Sequence, residues 1–191
     1  MIINIPNIIG DGEVYLSIMN IICGDVCDKS MIDLCCHKAP YTSRLGFKQR
    51  TYVDILDRGL DDINEQGKFV QSDVIGFLKQ TNDRYDVAIC SDGIEHFLEK
   101  DGHELISLME SVSDKQIIFT PFGEVMMNIY LDNHYDTHKS GWTPDMLPDY
   151  LSIVLPNFHP SLDSGAWFAV NCNSIEKERI IKQINQQYEQ N

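Results

Sequence analysis

The sequence predicts an α/β fold in which a mostly parallel sheet is covered by helices on both faces. Short apolar runs alternate along the chain with segments of helical periodicity, and the last two runs have no long helix between them. Parallel neighbours need long crossover connections, whereas antiparallel neighbours need only short ones, so the last strand is expected to run antiparallel. A length of 191 residues suits one domain, which we expect to span residues 1–191.

The individual elements follow from local patterns. An N-terminal helical segment is expected within residues 1–30, after the breaker Gly10-Asp11-Gly12. Seven apolar runs predict strands, at Met31–Cys35, Arg50–Leu56, Lys68–Gln71, Tyr85–Cys90, Gln116–Thr120, Tyr150–Leu155 and Ala166–Val170. Helices are predicted at Val74–Lys79 with Asp73 as N-cap, over most of Ile94–Ser111, after Thr143-Pro144, and over residues 173–191.

The composition is strongly acidic. Asp and Glu number 29 against 15 Lys and Arg, and the formal net charge is −14. A surface this negative repels phosphate backbones, so we expect no nucleic-acid partner. No apolar run approaches the roughly 20 residues of a membrane span, and no secretory signal is recognisable, so we expect no membrane association and a cytoplasmic protein. The six cysteines are then expected to be free thiols.

Acidic residues stand at the ends of the first four strands of the predicted parallel sheet. They are Asp33, Asp54, Asp73 and Asp92. Ligands in such sheets bind beyond the carboxyl ends of the strands, and a carboxylate about 20 residues after the first strand is suited to holding ribose hydroxyls. Asp54 occupies that place, and Asp73 could accept from an adenine amino group. The alternative is that these aspartates only cap helices and form turns.

Five segments together resemble the successive motifs of class I S-adenosylmethionine-dependent methyltransferases, over about residues 31–172. They are Met31–Cys36, Tyr52–Ile55, Phe69–Asp73, Tyr85–His96 and Ile117–Pro121. The stretch around Glu95-His96 is similar to the fourth motif of the small-molecule branch of that superfamily. The resemblance implies a Rossmann-like three-layer sandwich with a seven-stranded sheet whose last strand is antiparallel, and S-adenosylmethionine as cofactor.

The resemblance also implies which residues bind the cofactor. The loop after the first strand would contact the methionine moiety, Asp54 would hold the ribose, and the residues from Asp73 would flank the adenine. The full set is Asp33, Cys35, Cys36, His37, Asp54, Ile55, Asp73, Val74, Ser91 and Asp92. The first motif of the family normally carries several glycines, which let the backbone approach a cofactor closely, but Leu34–Pro40 has none. The function is therefore either methyl transfer to a small molecule or protein side chain, or a non-catalytic accessory role without cofactor.

The acceptor side of the predicted pocket holds Glu95, His96, His134, His138 and Trp142. His96 is the candidate general base because an imidazole titrates near neutral pH, although a structural role is as plausible. The loop over residues 132–142 would cover the acceptor, with Trp142 either anchoring the loop or stacking on substrate. The alternative is that it is only an ordered surface loop.

Several other functions lack their motifs. No Pro-Pro-aromatic or Pro-Cys motif follows the fourth strand, which disfavours methylation of DNA bases, and no GxGxxG follows the first, which disfavours a dehydrogenase. A zinc site would draw on Cys23, Cys27, Cys35, Cys36 and His37, but paired Cys-x-x-Cys spacing is missing. We therefore expect no metal. The oligomeric state and the methyl acceptor are left open by the sequence.

Overall fold

A computed structural model describes residues 1–10, 12–59, 67–122, 134–159 and 164–188. The strands are β1 (Ile2–Asn4), β2 (Ser30–Leu34), β3 (Gln49–Asp54), β4 (Gly67–Gln71), β5 (Tyr85–Ser91), β6 (Ser113–Pro121), β7 (Leu151–His159) and β8 (Ser164–Asn171). The α-helices are α1 (Gly12–Cys23), α2 (Val74–Gln80), α3 (Glu99–Val112) and α4 (Ser174–Tyr188). Short 3₁₀ turns cover Thr42–Arg44, Ile94–His96, His134–Asp136 and Pro144–Met146.

The strands form one sheet in the order β1-β7-β8-β6-β5-β2-β3-β4. All neighbouring pairs are parallel except those made by β8, which is antiparallel to both β6 and β7. The predicted α/β class and the antiparallel last strand are confirmed. The predicted strand number of seven is wrong, because β1 adds an eighth strand that pairs with β7 from Ile2↔Ser152 to Asn4↔Val154. With only three residues, β1 is too short to show a period of two.

Helices cover both faces of the sheet, as a three-layer sandwich requires. One core lies under α1 and α4 and includes Met19, Ile22, Phe168, Ile180 and Ile184. The other lies under α2 and α3 and includes Leu78, Ala88, Leu105, Met109 and Trp167. No helix in the described ranges is both long and apolar enough to cross a bilayer.

Two predicted helices are confirmed, one of them with a break. The predicted N-cap of α2 is confirmed, since the Asp73 carboxylate accepts a hydrogen bond of 2.6 Å from the Gly76 backbone N–H. The prediction that Ile94–Ser111 is mostly helical is confirmed, with one break: a 3₁₀ turn over Ile94–His96 is followed by extended backbone at Phe97 and Leu98 before α3 begins. Phe97 and Leu98 both line a cavity of the protein, so this break between the two helical segments contributes to the cavity wall.

Candidate active site

A cavity of about 540 Å³ opens at the carboxyl ends of the parallel strands. It lies where the strand order reverses, because the chain runs outward from β2 through β3 to β4 and then returns to β5 on the other side of β2. This is the switch point at which α/β sheets bind ligands, and the volume falls within the range of small-molecule sites. The lining residues are Cys35, His37, Asp54, Ile55, Arg58, Asp73, Val74, Asp92, His96, Phe97, Leu98, Asp101, Tyr135, Asp136 and Lys139.

Most of the residues that the sequence assigns to a cofactor meet at this cavity. The lining contains Cys35, His37, Asp54, Ile55, Asp73, Val74 and Asp92. Asp33, Cys36 and Ser91 do not line it. Asp33 is buried and accepts a hydrogen bond from the Thr42 hydroxyl, Cys36 is buried, and the Ser91 hydroxyl shares a hydrogen bond with the Tyr15 hydroxyl of α1. The structure therefore places these three residues outside the lining of the cavity.

The glycine-free loop after β2 adopts the backbone conformation that glycine usually supplies. Cys35, His37 and Ala39 have φ values of 57°, 50° and 49°, in the left-handed region. For residues with a Cβ, this region costs roughly 1–2 kcal/mol per position. The only other non-glycine residue with positive φ in the described ranges is Asp92, at 47°, in the loop after β5. Strain of this kind concentrates at functional sites, and among the described residues it occurs only in two loops at one cavity.

The Asp54 carboxylate holds the strained loop in place. One oxygen accepts the His37 backbone N–H at 2.9 Å, and the other accepts the Leu56 backbone N–H at 2.9 Å. Each carboxylate oxygen can accept more than one hydrogen bond, so Asp54 keeps capacity for a ligand hydroxyl. Across the cavity floor, the two strained loops pack so closely that a Cβ at Gly93 would lie 2.7 Å from the Cβ of Cys35.

Two buried carboxyl groups near the cavity are difficult to ionise. Burial raises the pKa of Asp33 to about 7. Burial, followed by the charge of Asp92, also raises the pKa of Glu95 above its ordinary value. A carboxylate in an apolar surrounding loses its hydration and is stable only with a proton or a positive partner.

Glu95 and His96 lie beside the segment that carries His138. The Glu95 carboxylate accepts the Thr120 hydroxyl at 3.0 Å. The Glu95 backbone carbonyl accepts the Lys139 N–H at 2.7 Å, which places His138 against the His96 ring with 5.0 Å between ring centroids. One potential ligand atom from each of Glu95, His96 and His138 lies within 4.8 Å of the others.

The tautomer of His96 follows from its contact with a backbone carbonyl. Its Nδ1 lies 3.3 Å from the Thr137 carbonyl oxygen, which can only accept. A neutral ring that donates to this carbonyl carries its hydrogen on Nδ1 and its lone pair on Nε2. Burial lowers the pKa of His96, so the neutral ring is favoured at pH 7.

The structure separates the other predicted acceptor-side residues. Trp142 is 1% exposed, donates from Nε1 to the Ser140 hydroxyl at 2.8 Å, and packs against α3. Of the two roles left open for Trp142, anchoring the loop is the one that its burial permits. His134 is exposed, stacks on Tyr135 and does not line the cavity. Residues 132–133 of the predicted loop lie outside the described ranges.

Seven lining residues were not named as candidates from the sequence. They are Arg58, Phe97, Leu98, Asp101, Tyr135, Asp136 and Lys139. The last three belong to the loop over residues 132–142 that was predicted to cover the acceptor. Arg58 forms an ion pair of 2.6 Å with Asp136 and so connects the loop after β3 to the turn His134–Asp136. No sequence signal marks this pair, because its partners are 78 positions apart and meet only in the folded chain.

The cysteines do not form the zinc site considered from the sequence. All six are free thiols, and in the described part of the chain the only cluster of three or more potential metal ligands is Glu95, His96 and His138.

Comparison with known proteins shows which solved structures share this fold. No protein-family model matches the chain, and no curated protein matches it. Among solved structures, the N-methyltransferase NodS from Bradyrhizobium japonicum WM9 in complex with S-adenosyl-L-homocysteine is similar, with a TM-score of 0.65 at 11% identity over 85% of this chain and 86% of that one. The magnesium protoporphyrin IX methyltransferase from Synechocystis PCC 6803 gives 0.59 at 13% identity over 83% and 80%. A small RNA methyltransferase gives 0.59 at 16% identity over 85% of this chain and 25% of that one.

This chain therefore has the class I methyltransferase fold. Structural similarity at identities this low shows the fold and leaves the substrate open. The names of the three similar structures differ accordingly: one is an N-methyltransferase, one methylates magnesium protoporphyrin IX and one methylates small RNA.

Proposed function

We propose that this protein is an S-adenosylmethionine-dependent methyltransferase acting on a small molecule or a protein side chain. The observation that carries the proposal is the strained loop after β2. Its residues Cys35, His37 and Ala39 keep a left-handed backbone although none is glycine. A chain that had lost its ligand would have no reason to retain roughly 1–2 kcal/mol of strain at each of these alternate positions.

In the proposed function, different cavity residues bind different parts of a nucleoside cofactor. Asp54 would accept the ribose hydroxyls and Ile55 would pack on the adenine. Asp73 and Val74, at the start of α2, would flank the adenine. The loop from Cys35 would contact the methionine moiety. All of these residues line the same cavity, which is how a single ligand could contact them together.

Methyl transfer from a sulfonium is an in-line displacement, so holding the donor and acceptor close and aligned supplies much of the rate. An acceptor bound near His96 would also lie near Phe97 and Leu98, which line the same cavity. The Nε2 of a neutral His96 could accept a proton from an acceptor that must lose one. The net charge of −14 favours acceptors other than nucleic acid.

Cofactor binding is tested by thermal shift and calorimetry with S-adenosylmethionine and S-adenosylhomocysteine. A ligand at 100 times its Kd adds about 2.7 kcal/mol of stability by mass action, so a clear rise in Tm is expected. Asp54→Ala should weaken binding at least tenfold, whereas Asp57→Ala, an exposed aspartate three residues away that does not line the cavity, should leave it unchanged. No shift with either ligand would overturn the proposal and favour a cofactor-free accessory role.

A further inference from the structure

The cluster of Glu95, His96 and His138 has the donor set of a transition-metal centre. Two imidazoles and one carboxylate, with one atom from each within 4.8 Å of the others, match three-ligand centres that leave further positions open. Imidazole donors suit first-row transition metals, whereas Mg²⁺ and Ca²⁺ prefer sites made of oxygen.

The surroundings of the cluster lack a positive partner for its buried carboxylate. Glu95 is 2% exposed, and no Lys or Arg within the described ranges forms an ion pair with it. The residues outside those ranges include no Lys or Arg at all. A buried carboxyl group is normally protonated, paired with a cation or bound to a metal ion, and a metal ion would supply the positive charge that Glu95 lacks among the described residues.

The residues around the cluster already hold two of its side chains in ligand orientation. The Nδ1 of His96 donates to the Thr137 carbonyl, so Nε2 is available as a donor atom. The Thr120 hydroxyl donates to the Glu95 carboxylate and orients it. Metal-binding histidines and carboxylates usually have such outer partners, which fix the tautomer and the ring orientation.

We infer that Glu95, His96 and His138 bind one divalent first-row transition-metal ion, and that its open positions take a hydroxyl oxygen of the methyl acceptor. The inference rests on the proposed function for its second part, and it replaces the expectation from the sequence that the protein holds no metal. His96 is then a ligand, and the role of a general base passes to water or another group at the cavity.

The chemistry favours a hydroxyl over an amine as the acceptor. A metal ion withdraws electrons from a bound hydroxyl and lowers its pKa, so the alkoxide forms near neutral pH. The O–H proton leaves to water and the oxygen forms the new bond to the methyl carbon. The S–CH₃ bond breaks with its electron pair left on sulfur, which turns the sulfonium into a thioether. A neutral amine bound to the same ion would donate its only lone pair to the metal and could not attack.

Metal binding is tested on the full chain after treatment with a chelator. Titration with Co²⁺, followed by its visible absorption, and with Mn²⁺, followed by calorimetry, is expected to show one site, with Mg²⁺ binding at least tenfold more weakly than Mn²⁺. His138→Ala should weaken Co²⁺ binding at least tenfold. His134→Ala, an exposed histidine four positions away in the same segment, is the matched control and should leave binding unchanged. Glu95→Gln provides a second ligand variant, with its Tm measured to confirm folding.

The open positions are tested by adding acetohydroxamate, an oxygen ligand, to the Co²⁺-loaded protein, whose absorption bands should shift. Absence of a stoichiometric Co²⁺ site, or equal binding by the wild type and His138→Ala, would overturn the metal site. An unchanged Co²⁺ spectrum with acetohydroxamate would overturn the hydroxyl acceptor. Binding of S-adenosylhomocysteine by the metal-free protein is measured in parallel, because its loss would refute the methyltransferase proposal, whereas its presence without Co²⁺ binding would refute only the metal site.

Discussion

The packing of Trp142 on α3 predicts that Gly102→Ala destabilises the protein, although alanine favours helices. Gly102 is buried within α3, and a Cβ there would lie 3.0 Å from Cη2 of Trp142 and closer still to its Cζ2. Trp142 is 1% exposed, so its ring has no free space into which to move. The same residue anchors the segment that places His138 beside His96.

The magnitude follows from two opposing terms. Replacing glycine by alanine inside a helix gains about 1 kcal/mol, whereas forcing extra volume into a packed core costs typically 1–3 kcal/mol. We expect a net loss of about 1 kcal/mol, which lowers Tm by roughly 2–4 °C for a domain of this size. Displacement of Trp142 should also weaken Co²⁺ binding at the Glu95–His96–His138 cluster.

Urea unfolding of Gly102→Ala and of the control Gly46→Ala measures the effect. A Cβ at Gly46 would meet only Val26, at 3.9 Å, so this control should change stability little. In the double variant with Trp142→Phe, the smaller ring should remove most of the loss caused by Gly102→Ala. A Gly102→Ala protein as stable as the wild type, or an equal loss in the Trp142→Phe background, would refute the steric argument.

Three further predictions concern a buried acid, a buried base and the strained loop. Because the pKa of Asp33 is about 7 in the folded protein and near 4 in the unfolded chain, its contribution to stability is fully present below pH 4 and is lost as pH rises to 7. Asp33→Asn should therefore remove that slope, up to roughly 4 kcal/mol between pH 4 and 8 in urea unfolding, and an unchanged slope would contradict the assignment. Lys115 is 3% exposed, donates to the last carbonyls of α1 and pairs with Glu176 at 2.6 Å. Lys115→Met should therefore cost about 3 kcal/mol of stability in the same assay. A loss below about 1 kcal/mol would argue against this capping role. At His37, with φ of 50°, substitution by glycine should change stability by less than about 1 kcal/mol because relief of strain offsets the greater freedom of the unfolded chain. Substitution by β-branched valine should destabilise the protein by more than about 1 kcal/mol. Calorimetric unfolding measures the stability of both variants, and a valine variant more stable than the glycine variant would show that the loop is unstrained.

The sequence by itself determined the layered α/β fold and the place of the candidate site. Each strand carries its apolar pattern in its own residues, so seven strands could be predicted. The cap at Asp73 could be predicted because aspartate is a preferred residue directly before a helix. The acidic residues after successive strands indicated the edge of the sheet at which the cavity opens, because parallel strands bring their carboxyl ends together. The strand β1 was missed because three residues carry too little pattern, and the break at Phe97 and Leu98 because extended backbone inside an apolar segment leaves no local signal.

Only the tertiary structure decided how the site is built. The absence of glycine from Leu34–Pro40 suggested a loop of different shape. The Asp54 carboxylate and the close approach of Gly93 are contacts through which the fold can hold a left-handed backbone without glycine. His138 reaches His96 across 42 positions because the Lys139 N–H bonds to the Glu95 carbonyl. Contacts between distant segments depend on the relative placement of whole elements, which no local pattern encodes, and the proposed metal site exists only because of them.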